Sequence, residues 1–106
     1  MNQVFVTVRE AKSLKDRVVG LIGKPEAHGL IINTRFGIHT FGLKFPIDVA
    51  VLNHNNEVVK MKKSLKPHSF FVWDPKYSKV VEMPHGSIDK SGINLGTKIE
   101  LTEESY

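Results

Sequence analysis

The chain of 106 residues contains no cysteine. A disulfide framework, a thiolate metal site and a thiol nucleophile are therefore excluded. A small chain that folds without disulfides suits a reducing compartment. Long apolar runs are also lacking, and none approaches the ~20 residues needed to span a bilayer. The start, Met1 to Glu10, has neither the basic opening nor the apolar core of a secretion signal. It alternates instead, like a strand. A cytoplasmic location with no membrane partner is the expectation. The sequence shows no repeat and no linker-like stretch, so residues 1–106 are read as a single domain.

What is present is ordinary for a globular protein: 41% hydrophobic and 25% charged residues, a balance that argues against disorder. The net charge is +4 and the pI about 9.4. Much of the excess sits at Lys60, Lys62, Lys63 and Lys66. Such a run can meet phosphate backbones. Along the chain, however, neither arginine nor stacking aromatics interleave with it. A solvated strand face is expected, where lysines also discourage edge pairing. Specific nucleic-acid binding is not expected.

Periodicity predicts a first strand at 3–8. A helix with the apolar stripe Leu14, Val18, Leu21 and Ile22 follows, capped from Ser13 and stopped by Gly23 and Pro25. Gly29 to Asn33 reads as a buried strand. Residues 34–47, with Gly37, Gly42 and Pro46, read as a shaped connection. Residues 48–53 and 57–63 read as a hairpin joined by Asn53-His54-Asn55-Asn56, since asparagine tolerates left-handed turn conformations. In Phe70-Phe71-Val72-Trp73, alternation assigns Phe71 and Trp73 to the core. Lys79 to Met83 and Thr97 to Leu101 are further strands, with a short helix or turn ending near Ser91. The fold class is therefore mainly β (α+β): a small closed or nearly closed, mostly antiparallel sheet or barrel with one short amphipathic helix packed on it.

Several segments together resemble domain-of-unknown-function family 192. Arg17-Val18-Val19-Gly20-Leu21-Ile22-Gly23-Lys24 is similar to that family's "R-x-x-G-L-M-x-R" helix end. Ile38 to Val49 resembles the segment in which an aromatic, a methionine and a basic residue precede "P-[IL]-D". Val80-Val81-Glu82-Met83-Pro84-His85-Gly86 is similar to "V-L-E-L-x-x-G", and Ser91 to Gly96 to "G-[IL]-x-x-G-D". The resemblance covers residues 13 to 101 in order. It implies a mainly β fold with short helices and no established activity. Leu43 stands where methionine is usual and Thr97 where aspartate is, so a ligand that needed either residue would be lost here.

Asp48 is the most informative position. It opens a strand whose two faces, Asp48/Ala50/Leu52 and Ile47/Val49/Val51, are both apolar beyond it. A carboxylate buried there must be paired or hydrogen-bonded. Arg35, His39, Lys44 and loop N–H groups are candidate partners, through which Asp48 would pin the 36–47 connection. The ligand-binding candidates are Arg35, His39, Thr40, Lys44, Asp48, Glu82, His85 and Gly86, lining a shallow polar cleft of residues 35–48 and 82–86. No histidine pair has metal-ligand spacing, so neither a metal nor a cofactor is expected. A binding or accessory module is the leading expectation, its partner a small molecule or a protein. The alternative is a small hydrolase-like enzyme using His39 with Asp48 or Glu82. A weak basic nucleic-acid binder is the second alternative.

Overall fold

The computed structural model describes residues 3–10 and 28–103. The expected helix at 13–22 lies outside the described residues. The described residues form eight strands and one helix, in chain order β1 (Gln3–Glu10), β2 (His28–Asn33), β3 (Gly37–His39), β4 (Ile47–Leu52), β5 (Val58–Leu65), β6 (Phe70–Val72), β7 (Lys79–Pro84), α1 (Ser87–Ser91) and β8 (Lys98–Glu103). Six strands form one sheet in the order β5-β4-β7-β2-β1-β8, and β3 pairs with β6 in a separate ribbon. The β1 pairings with β2 and β8 are parallel. The β2–β7, β4–β5, β4–β7 and β3–β6 pairings are antiparallel. The class is mainly β, as the periodicity implies.

The sheet is nearly closed. Its two edge strands meet where both begin, through the Glu57–Lys98 bridge. The Val58 amide donates to the Thr97 carbonyl (2.9 Å) and the Ile99 amide to the Asn56 carbonyl (2.8 Å). Among the described residues the remainder of β5 has no further strand beside it, and its Lys60, Lys62 and Lys63 are exposed. Lysines on such an edge oppose pairing with another chain.

Strand β4 occupies an interior position, and all six of its residues are buried. Alternation divides them between two cores. Ile47, Val49 and Val51 pack with Leu30, Val80, Leu43 and the ribbon residues Ile38 and Phe71. Ala50 and Leu52 pack on the other face with Val81, Met83, Ile88, Ile93 and Ile99. One face of the sheet is thus covered by the ribbon and the other by α1 and its exit. Phe71 and Trp73 are core residues, while Phe70 is 69% exposed.

The β4–β5 hairpin is organised by the residue that opens its turn. Asn53 Oδ1 accepts from the amides of Asn55 and Glu57 (2.9 Å each). Asn56 takes the left-handed conformation at φ 63°, which asparagine adopts at small cost. The ribbon was not legible as such in the sequence. It depends on Gly37, where an added Cβ would lie 2.7 Å from the Phe71 carbonyl oxygen across the pair. Only glycine permits that approach.

Candidate functional site

One end of the molecule gathers the close of β3, the start of β4, the close of β5, the start of β6 and the close of β7. Asp48, at 1% exposure, lies at its centre. The register pairs Ile47 with Leu65 and Val49 with Lys62, so Lys63 and Ser64 together oppose Asp48. This is a β-bulge, which frees an amide from the ladder. Ser64 sits at φ 55°, and its amide donates to Asp48 Oδ1 at 3.0 Å. The amide of Ile88, in the first turn of α1, donates to Asp48 Oδ2 at 2.8 Å. Both carboxylate oxygens are thereby occupied by backbone donors, which is what makes a buried charge tolerable.

This corrects the expected role of Asp48. It ties the β5 bulge to the start of α1, and its partners are not in the 36–47 connection. The reason is alternation: Asp48 shares the Ala50/Leu52 face, which α1 covers, whereas the connection crosses the opposite face. The 36–47 connection is held instead by Thr40, which is fully buried. Thr40 Oγ1 donates to the Lys66 carbonyl (2.7 Å) and accepts from the Ser69 amide (2.8 Å).

The other candidates fall in separate places. Glu82 is fully buried. It stands beside Val49 and Leu30 in the register, so it projects toward the ribbon, on the face opposite Asp48. The two carboxylates are separated by the sheet. Arg35 lies near the far end of the ribbon, its guanidinium donating to the Pro75 carbonyl at 2.7 Å. Lys44 is exposed. Gly86, at φ 91°, precedes α1. His85 is exposed, and its Nδ1 lies 3.0 Å from Ser64 Oγ. Ser64 is a residue that sequence reasoning missed, because nothing in the local pattern marks the bulge that turns it toward His85.

A second missed group surrounds His39. The Phe41 amide donates to His39 Nδ1 (3.3 Å), and the two rings stack with centroids 5.2 Å apart. Phe41 meets Phe70 edge to face at 5.0 Å and lies 6.2 Å from His68. His39 and Phe70 are register partners. Four rings therefore form one cluster on the outer surface of the ribbon, with Phe41 41% and Phe70 69% exposed. A signal was available: His39-Thr40-Phe41 and His68-Ser69-Phe70 repeat one pattern. Their middle residues bond across the ribbon, Thr40 amide to Ser69 carbonyl at 2.9 Å. His68 is itself left-handed, at φ 60°.

A cavity of about 510 Å³ lies elsewhere, at the end where β4 finishes, lined by Leu52, Asn53, His54, Tyr77 and Lys79 among others. None of the expected cleft residues lines it. Among the described residues no three histidines and carboxylates are gathered as metal ligands, and no helix is long and apolar enough to cross a membrane.

Two solved structures share the fold. A putative transcription regulator of Sinorhizobium meliloti matches with a TM-score of 0.64 at 13% identity, over 87% of this chain and 76% of that one. A protein of unknown function from Novosphingobium aromaticivorans matches with a TM-score of 0.65 at 13% identity, over 87% and 70%. In sequence, the chain is 31% identical over 104 residues to the UPF0127 protein PF1050 of Pyrococcus furiosus, covering 92% of this chain and 89% of that protein. The family model DUF192, described as "Uncharacterized ACR", matches residues 1–101. With fold, motif order and family model in agreement, the chain belongs to domain-of-unknown-function family 192.

Proposed function

We propose that the chain is a binding module that presents the end carrying His39, Phe41, Lys44, His68, Phe70 and His85. The observation that carries this reading is the state of Asp48. It is buried, and both its oxygens are held by backbone amides, so it serves to shape the end of the sheet. Glu82 is on the other face of the sheet from Asp48, so the two carboxylates do not share one site. What this end offers to solvent is a set of rings and cations on the ribbon's end and the turns beside it, which suits recognition more than proton transfer. In this reading the surface of that end is part aromatic and part basic.

A thermal-shift ligand screen followed by amide spectra tests the proposal. Hits are expected to move the signals of His39 to Lys44, Lys66 to Phe70 and His85 to Gly86. Hits confined to the cavity around Tyr77 and Lys79 would sink it.

The Ser64–His85 contact supports a second, enzymatic reading. Ser64 Oγ would attack an acyl carbon while its proton passes to His85 Nδ1, which then protonates the leaving group. A serine-directed fluorophosphonate that labels Ser64 in the wild type, and not in His85→Ala, would favour it.

A further inference from the structure

Residues 34–47 and 58–73, which build the ribbon, its flanks and the edge strand beneath it, contain no aspartate or glutamate. They do contain Arg35, Lys44, Lys60, Lys62, Lys63 and Lys66. The lysine run has no aromatics interleaved along the chain, but the fold supplies them from elsewhere. Lys60 Nζ reaches the Val72 carbonyl at 2.6 Å and lies 5.1 Å from the centroid of the Phe71 ring, which joins the edge strand to β6. The Lys66 carbonyl is bonded to Thr40, the residue between His39 and Phe41. Nearer the four rings along the chain, Lys44 stands three residues after Phe41 and Lys66 two before His68, and both are exposed.

Resting on the binding reading above, we propose that this face binds single-stranded nucleic acid without sequence specificity. Charge complementarity selects the partner: the two segments carry no acid, and apart from Asp89 of α1, which pairs with Lys63, the charged groups named on this face are cations, which fits a polyanion. The exposed rings select the kind of polyanion, because bases present flat faces that stack on phenyl and imidazole rings whatever their identity. In this arrangement Phe41 and Phe70 stack bases, His39 and His68 flank them, and Lys44 and Lys66 meet phosphates. A duplex keeps its bases stacked internally and offers the rings nothing. The ribbon is a preorganised platform, since Gly37 and the Thr40–Ser69 bonds fix its two strands against each other.

The test is fluorescence anisotropy with labelled oligothymidylate and oligouridylate of about fifteen nucleotides, a length within the usual single-strand site range. A duplex of equal length, phosphatidylserine vesicles and sedimentation of the free chain run beside it. Single strands are expected to bind at low salt, to weaken steeply as salt rises, and to outcompete the duplex. Phe41→Ala with Phe70→Ala is expected to weaken binding at least tenfold, and Lys44→Glu with Lys66→Glu to reduce the salt slope. Both pairs lie on the surface, and circular dichroism confirms that the fold persists. Equal binding of duplex and single strand, or indifference to ring removal, overturns the proposal. Vesicle binding or self-association that the ring variant abolishes overturns the nucleic-acid partner but leaves the binding face standing. Ligands that bind wild type and ring variant alike, at the Tyr77 cavity, bring down the binding face itself.

Discussion

Two regions a few residues apart reverse the usual partition of polar and apolar groups. At the β4 start a carboxylate is inside, at 1% exposure. On the ribbon two phenyl rings are outside, at 41% and 69%. The difference lies in compensation. Asp48 is surrounded by donors that the β-bulge and the first turn of α1 leave without ladder partners, so its burial solves a local hydrogen-bonding problem. Phe41 and Phe70 have only ring contacts, with one another and, for Phe41, with His39 and His68. Single exposed apolar residues need no explanation, but rings clustered on a fixed ribbon leave apolar surface that a partner can cover. The buried polar group reads as architecture and the exposed apolar group as function.

That contrast can be broken most directly at Asp48. Asp48→Ala leaves the buried Ile88 amide and the part-buried Ser64 amide without their acceptor, and is expected to cost roughly 2–5 kcal/mol by denaturant unfolding. Asp48→Asn keeps the size but turns an NH₂ toward one donor, and a loss of about 1–3 kcal/mol is expected. If either variant unfolds like the wild type, the carboxylate is not holding the bulge, and its place in the architecture falls.

Gly37→Ala probes the ribbon from beneath. Its Cβ would press on the Phe71 carbonyl, so a loss of about 1–3 kcal/mol is expected, together with altered ring-current shifts for Phe41. An alanine accommodated without either change would show that the ribbon is not fixed. The Lys63–Asp89 pair, at 2.6 Å but with side chains 50% and 71% exposed, offers a control near the bulge. Asp89→Asn should cost below about 1 kcal/mol, and less still in high salt. A larger effect would mean that the exposed pair, and not Asp48, secures the junction of β5 and α1.

The smallest expected stability change is at the most exposed ring. Phe70→Ala should leave stability within about 0.5 kcal/mol of the wild type, while weakening whatever the face binds. A large loss of stability would place Phe70 with Phe71 in the core. The opposition between buried architecture and exposed function would then dissolve.

Several local features were legible because they depend on neighbours in the chain. The apolar character of both faces of Ile47 to Leu52 marked an interior strand, and all six residues are buried. Asn53 to Asn56 announced a tight turn, since asparagine supplies both the left-handed backbone and the side-chain acceptor that the turn uses. Alternation assigned Phe71 and Trp73 to the core, where both are buried, and left Phe70 open. A three-residue strand such as β3 carries too little periodicity to be seen, and the 34–47 connection hid it.

What the sequence by itself determined is therefore the longer strands, most of the side chains that point inward along them, and the family motif order. Only the tertiary structure decided what those side chains meet. Asp48 finds its donors 16 and 40 residues away, and the direction is set by which face of the sheet α1 covers. Glu82, close to Asp48 across the β4–β7 pair, is sent to the other face by a shift of one residue in register. The His39 and His68 triplets become one cluster only because the ribbon pairs them. Periodicity is a property of consecutive residues, whereas these meetings are set by register and layering, which arise when distant strands pair.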